Sequence, residues 1–254
     1  MPHFIFDPLC RDSSLAGICA LTVMAKAPRA GKVKTRLAPP LTSEQAAQLN
    51  ISFLKDTTEN LAAVAATGSA RGVISYTPVG EEPLFDGILP SSFSLVPQRG
   101  DGFGERLLFT AEDALTCGFS AVCLIDSDSP TVPTEVFSRA VTALAQPGDR
   151  VVLGPSQDGG YYLIGLKQAH RAVFEGIHWS TATVYQETVE AVHKAGLELV
   201  ELPLWYDVDD AESLQVLKNE LLEDVRPCFV SADGYAAPHS MQSLEQMYAV
   251  TEKL

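Results

Sequence analysis

Ala121-Val122-Cys123-Leu124-Ile125-Asp126-Ser127-Asp128-Ser129-Pro130 is the stretch on which the fold turns. Its first five residues are apolar without a break, whereas a strand with one wet face alternates apolar and polar side chains. An unbroken run marks a strand covered on both faces, as in a parallel sheet flanked by helices. The run stops at two aspartates and a proline, so the strand delivers carboxylates to its carboxyl end.

The rest of the chain repeats the theme. Apolar or β-branched runs predict further strands at residues 17–24, 72–79, 92–96, 150–153, 161–166 and 197–202. Helical spacing predicts helices at 44–66, from the glycine-rich turn at 99–104 through 114, and at 134–144, 181–194 and 210–222. Alternating strands and helices imply right-handed crossovers and an α/β three-layer sandwich with a mostly parallel central sheet. One domain is expected over 1–225. The pattern weakens beyond it, leaving 226–254 as a C-terminal tail with a short helix near 241–250, packing on the domain or extending from it.

Charge is unevenly placed. The 254 residues carry 18 Lys and Arg against 32 Asp and Glu, a formal net charge of -14. That excludes a generic nucleic-acid binder, which needs a basic face to displace counterions. Yet five bases, Lys26, Arg29, Lys32, Lys34 and Arg36, crowd into eleven residues that also hold Pro28 and Gly31. A solvated basic face is the ordinary explanation of such a run. A basic loop in an acidic protein is also suited to gripping a small, highly charged anion. The chain has no apolar run long enough for a membrane span and no basic-then-apolar leader. Its five cysteines form neither a CxxC pair nor an even framework, so reduced thiols and a cytoplasmic location are expected.

In open α/β sheets ligands bind at the carboxyl ends of strands. The basic loop and the acidic cluster each follow a strand directly, so both are expected to face one crevice. Asp126 and Asp128 are costly as bare like charges, and a divalent cation with hard oxygen ligands relieves that cost; a turn and helix cap is the plainer alternative. Asp207-Val208-Asp209-Asp210 is read the same two ways, as a helix cap or as a second source of a metal ligand. Glycines at 100, 102 and 104 and the pair Gly159-Gly160 mark tight turns or places where a ligand lies against the main chain. His178 is a candidate phosphate or metal contact, and Cys117 and Cys123 are expected core thiols.

Taken in order, KAPRAGKVKTRLAPPLT, GDGFGERL, LIDSDSPTV, GPSQDGGYYLIGL, HWSTATV and YDVDDAESL resemble the GT-A-fold (Rossmann-like) nucleotide-diphospho-sugar transferase-like proteins. The order is similar to 2-phospholactate guanylyltransferases and, more distantly, to molybdenum-cofactor guanylyltransferases. The resemblance spans roughly residues 18–220. It implies Asp128 and Asp209 as ligands of Mg2+ or Mn2+, with Asp126 completing an Asp-x-Asp block. It implies Lys26, Arg29, Gly31, Lys34 and Arg36 as a triphosphate loop, with Gly102 and Arg106 also near the nucleotide. Asp158, Gly159, Gly160 and Trp179 are implied as the wall of an acceptor or sugar pocket. Asp210 and Ala211 stand where the family's second acidic block has Thr and Pro, and the Gly-x-Gly-x-Arg loop of many sugar nucleotidyltransferases is missing.

The expected activity is metal-dependent nucleotidyl transfer, with Lys34, Arg36 and Asp128 as the reacting set. It would join a nucleoside triphosphate to a small phosphorylated acceptor and release pyrophosphate. Glycosyl transfer from a nucleotide sugar on the same scaffold is the alternative, and a nucleotide-binding module without catalysis is a third reading. No nucleic-acid or membrane partner is expected.

Overall fold

The structure, a computed structural model, describes residues 3–251; the outermost ends of the expected domain and tail, 1–2 and 252–254, lie outside them. The strands are β1 (Cys19–Lys26), β2 (Ala70–Thr77), β3 (Ser94–Pro97), β4 (Ala121–Ile125), β5 (Arg150–Pro155), β6 (Tyr161–Leu166) and β7 (Glu198–Glu201). The helices are α1 (Ser43–Ala65), α2 (Phe103–Cys117), α3 (Thr134–Ala145), α4 (Val184–Lys194), α5 (Ala211–Glu223) and α6 (Pro238–Thr251).

The strands form one sheet in the order β3-β2-β1-β4-β6-β5-β7. All run parallel except β6, which is antiparallel to both neighbours. The loop between β5 and β6 is a tight turn, too short for the crossover that a parallel pair requires. From β1 the order grows toward β2 on one side and toward β4 on the other, so the chain changes direction between β1 and β4. That switch point opens a crevice beyond the carboxyl ends of the two strands.

Side-chain alternation explains the unbroken run in β4. Ala121, Cys123 and Ile125 join the apolar layer under α1, α3, α5 and α6. Val122 and Leu124 point the other way, into the layer under α2 and α4. The strand is covered on both faces, and its bounds and those of β6 are the ones the sequence predicts.

Elsewhere the differences have local causes. β1 begins after the expected position because Gly17 adopts φ 81° and closes a turn. α1 starts on a capping box, Thr42 and Gln45 each bonding the other's backbone amide. α4 begins at Val184 rather than 181 because Ser180 is left-handed (φ 64°) and residues 180–183 form a separate turn. The tail ends in a full helix, α6, which packs on α1. Asp56 of α1 accepts from the backbone amides of His239 and Ser240 and from the Ser240 hydroxyl, satisfying two of the orphan donors at the start of α6. Among the described residues no helix is long and apolar enough to cross a membrane.

Candidate active site

The basic loop leaves β1 and is pinned by two buried side chains, Val33 and Leu37. Between them Lys34 takes the left-handed conformation (φ 46°), which costs an L-residue about 1 kcal/mol, and a short 3-10 turn follows at Thr35–Leu37. The consequence is that the Lys34 side chain points inward and is only 6% exposed. Its ammonium bonds the carboxylates of both Asp128 and Asp209, the latter at 2.7 Å.

Each acid is held by backbone. Asp128 lies in the loop that follows β4, where Val208 N donates to Asp128 O at 2.9 Å and ties that loop to the 207–210 segment. The same segment is anchored by Trp205, whose amide bonds Pro155 O (3.0 Å) and whose indole N–H donates to Thr131 Oγ1 (3.0 Å). The three residues are thereby assembled from loops after β1, β4 and β7. Burial alone would push the Lys34 ammonium down, but Asp128 and then Asp209 outweigh it and hold it above its ordinary value. It therefore stays charged. Burial likewise works against ionised Asp209, and Lys34 reverses the balance, drawing the carboxyl below the usual range.

The surroundings are strongly acidic. Burial, with Asp128 adding, pushes Asp126 well above the usual carboxylate range, and the Ser129 hydroxyl donates to it at 2.5 Å. Asp207 is pushed up to about 6 by burial, then by Asp128 and Asp158, although Ser156 Oγ donates to it at 2.7 Å. Asp207, which the sequence offers only as part of the 207–210 acidic run, lines the same compartment as Asp209. Its signal is the Asp207/Asp209 alternation, which puts both acids on one side of an extended segment.

Three compartments meet at Arg36 and Asp209. The largest, about 450 Å³, is lined by Asp126, Asp128, Asp158 and Asp207 and by an aromatic wall of Phe103, Tyr161 and Trp179. Trp179 packs edge-on against Phe103 (5.3 Å between centroids) and Tyr161 (6.4 Å). A Cβ on Gly104 would lie 2.4 Å from Trp179 Nε1, so glycine at the start of α2 is what lets the indole sit there. The second compartment, about 250 Å³, is cationic: Lys26, Lys32, Lys34 and Arg36 line it together with Asn50, Ser127 and Asp128. The third, about 440 Å³, holds Asp210, Glu212 and Cys228.

The structure therefore brings together Lys26, Lys34, Arg36, Asp126, Asp128, Asp158, Gly160, Trp179 and Asp209. It places other expected residues outside the lining. Arg29 turns away to bond Glu81 through Nε (2.9 Å) and Nη2 (2.5 Å), and Gly31 serves the loop's turn at φ 69°. Gly102 caps α2 and Arg106 donates to Asp101 O, while Phe103 and Leu107 of the same segment reach the cleft. Gly159 (φ 90°) faces the 180–183 turn, where a Cβ would lie 2.1 Å from Ala182 O. His178 is occupied by Glu187 through its backbone N–H (2.7 Å) and ring Nδ1 (3.1 Å). Arg36, 68% exposed, reaches Asp209 at 3.4 Å and Asp210 at 3.7 Å.

The donor set suits a hard divalent cation. Asp128 and Asp209 offer oxygen ligands and already share one cation, Lys34, and Asp126, Asp158 and Asp207 line the adjoining compartment beside Arg36. Among the described residues no three carboxylates, histidines or cysteines converge on one metal position, so Asp126, Asp128 and Asp209 do not make a three-ligand group. Magnesium usually takes one or two carboxylates and completes its shell with water and substrate phosphate.

Residues 60–181 match a protein family described as uncharacterised and conserved in bacteria, DUF2064. The sequence matches no curated protein. A solved structure from Desulfovibrio desulfuricans G20, described provisionally as a nucleotide-diphospho-sugar transferase, is 33% identical. The match covers 92% of this chain and 98% of that one, with a TM-score of 0.74. Two further structures share the fold. CMP:2-keto-3-deoxy-manno-octonic acid synthetase complexed with CTP is 11% identical (82% of this chain, 100% of that one, TM-score 0.53). The 4-diphosphocytidyl-2C-methyl-D-erythritol synthase of Anaerococcus prevotii DSM 20548 is 12% identical (84% and 99%, TM-score 0.51). Identity at this level over nearly the whole length of the Desulfovibrio protein places the chain in one family with it: it belongs to the nucleotide-diphospho-sugar-transferase-like proteins.

Proposed function

We propose that the chain is a metal-assisted nucleotidyltransferase. The observation that carries the reading is Lys34 bridging Asp128 and Asp209, with a cationic compartment on one side and an aromatic, carboxylate-lined compartment on the other. Lys26, Lys32 and Lys34 would bind the β- and γ-phosphates of a nucleoside triphosphate, and the larger compartment would present the acceptor. An acceptor oxygen attacks the α-phosphorus, the bond from α-phosphorus to the bridging oxygen breaks, and pyrophosphate leaves with the electron pair. Such a transfer depends on in-line positioning and charge neutralisation more than on a covalent nucleophile. A divalent cation held by Asp128 and Asp209 would supply charge neutralisation at the phosphate oxygens. Lys34 and Arg36 offset the charge that grows on the leaving group. Among the described residues Arg36 is the one cation lining the larger compartment, so a phosphate on the acceptor would be read there.

Glycosyl transfer from a nucleotide sugar is the second reading, favoured by the aromatic wall and by the name of the Desulfovibrio relative. Incubation with each of the four nucleoside triphosphates, Mg2+ and a panel of sugar phosphates, and in parallel with nucleotide sugars and the same panel, followed by phosphorus NMR, separates the two. Pyrophosphate is the expected product. Release of nucleoside diphosphate from nucleotide sugars, with no pyrophosphate from any triphosphate, would replace nucleotidyl by glycosyl transfer.

A further inference from the structure

Lys34 donates to Asp128 Oδ2 and, at 2.7 Å, to Asp209 Oδ1, the same two carboxylates that suit a divalent cation. The two occupants exclude each other. Magnesium sits about 2.1 Å from its oxygen ligands, so an ammonium bonded to the same two oxygens would lie against it, cation on cation. The ammonium has to leave when the metal arrives, and a charge buried this deeply needs another acceptor to leave for. Buried Val33 and Leu37 pin the backbone on either side, so the travel falls to the flexible four-carbon stem of the side chain.

Asn50 supplies such an acceptor. It stands on the second turn of α1, 4% exposed, and lines the cationic compartment together with Lys34. Its Oδ1 is buried and, among the described residues, has no hydrogen-bond partner. Buried amides are nearly always satisfied, and a carbonyl oxygen is satisfied only by a donor. Phe53, one turn further along the same face of α1, already has the Lys34 ammonium 6.0 Å from its ring centre. The other two lysines of the compartment, Lys26 and Lys32, are exposed, whereas the Lys34 side chain is 6% exposed and as shut off from water as Asn50. A pairing of these two buried groups needs no opening to solvent.

We propose that Lys34 is a mobile counter-cation with two seats: it neutralises Asp128 and Asp209 in the metal-free protein, and it passes to Asn50 Oδ1 when a divalent cation takes those carboxylates. Asn50 is then a positioning residue, which acts through Lys34 and touches neither metal nor substrate. This rests on the reading of Asp128 and Asp209 as the metal-holding pair. The exchange moves the ammonium into the compartment assigned to the outer phosphates, so arrival of the metal completes the phosphate site. A phosphate there relieves the repulsion among Lys26, Lys32 and Lys34, and each ligand thereby favours the other.

The test is calorimetric titration of the full chain with Mn2+ alone, in the wild type, Lys34→Met, Asn50→Leu and the double variant, each checked for folding by a thermal melt. Lys34→Met removes the competing ammonium and is expected to bind Mn2+ about tenfold more tightly than the wild type. Asn50→Leu removes the second seat and is expected to bind it about tenfold more weakly. In the Lys34→Met background the same Asn50→Leu change should alter Mn2+ affinity by less than about twofold, a dependence that an Asn50 acting on the fold or on the metal itself would not show. Lys34→Gln, which keeps a neutral donor beside the acids, should also bind more tightly than the wild type and serves if Lys34→Met does not fold. Mn2+ affinity equal to or below the wild type in folded Lys34 variants would overturn the exchange and leave the metal position standing. An Asn50→Leu effect of one size in both backgrounds, or none in either, would overturn Asn50 as the second seat. Absence of Mn2+ binding in the wild type and in every folded variant would overturn the metal-holding pair, and this inference with it.

Discussion

Lys34 Nζ lies 2.7 Å from Asp209 Oδ1, across 175 positions of sequence, and the same ammonium also bonds Asp128. One cation thus ties together the loops that follow β1, β4 and β7. A buried ion pair of this kind is weak evidence for stability as such, because desolvation offsets much of the attraction. Breaking it from one side is a different matter. Lys34→Met would leave two carboxylates facing each other beside Asp126 and Asp207. The expected loss is about 2–4 kcal/mol, below the full penalty for a buried pair because Asp209 is partly solvated. A divalent cation should recover it, so Mg2+ should raise the melting temperature of Lys34→Met more than that of the wild type. An equal Mg2+ response in both would separate Lys34 from the metal position.

The two compartments should separate kinetically. Lys26→Ala and Lys32→Ala remove cations from the phosphate side, and each is expected to raise the nucleotide KM by about tenfold, roughly 1.4 kcal/mol, with the acceptor KM little changed. Trp179→Ala should do the reverse. Arg36 lines both compartments, so Arg36→Ala should raise both constants. Steady-state kinetics in each substrate checks the split, and parallel changes in both constants for Lys26→Ala would refute it.

Gly159 carries a structural demand that its place in a glycine pair does not disclose. Its φ of 90° and the 2.1 Å approach of Ala182 O to a built Cβ leave no room for a side chain. Gly159→Ala should cost about 1–3 kcal/mol and displace the 180–183 turn that backs Trp179. Chemical denaturation gives the first number, and Trp179 fluorescence in a Trp205→Phe background reports the second. An unchanged midpoint would show that the turn yields easily.

Much of this was legible beforehand, for reasons that are specific. β4 and β6 were readable to the residue because both of their faces are buried, so the run of apolar side chains is continuous. α1 starts one residue before the expected 44, where Thr42 and Gln45 form the capping box. The reversed direction of β6 was not legible from hydrophobicity, which is the same read either way; only the shortness of the 156–160 turn encodes it. α6 was underestimated because its contact with α1 is partly polar, through Asp56 with Ser240 and Ser52 with Ser243 at 2.7 Å, so no wide apolar stripe marks it. In the site, the meeting of basic loop and acidic cluster followed from strand order. Which bases take part did not. The pairing of Arg29 with Glu81 and the burial of Lys34 depend on tertiary contacts that charge counting does not see.

The Asp56 contact sets a pH dependence with a definite sign. Burial raises its carboxyl above the usual 3.8, only partly offset by the donors at Ser240 and His239. A carboxyl whose folded value is raised contributes most below its unfolded value, and the contribution falls as pH rises through the folded one. The stability of the wild type relative to Asp56→Asn should therefore decline as pH rises above about 4. Denaturation series at several pH values check this. A wild-type advantage that grows with pH would mean that capping of α6 by the ionised carboxylate outweighs its burial.

The most direct test of the central claim is equilibrium binding of the four nucleoside triphosphates, by titration calorimetry, in Mg2+ and again in excess chelator. The account predicts that at least one triphosphate binds in Mg2+, that chelation weakens it at least tenfold, and that Asp128→Asn removes the difference. Binding of no triphosphate, or binding indifferent to both Mg2+ and Asp128→Asn, would contradict it.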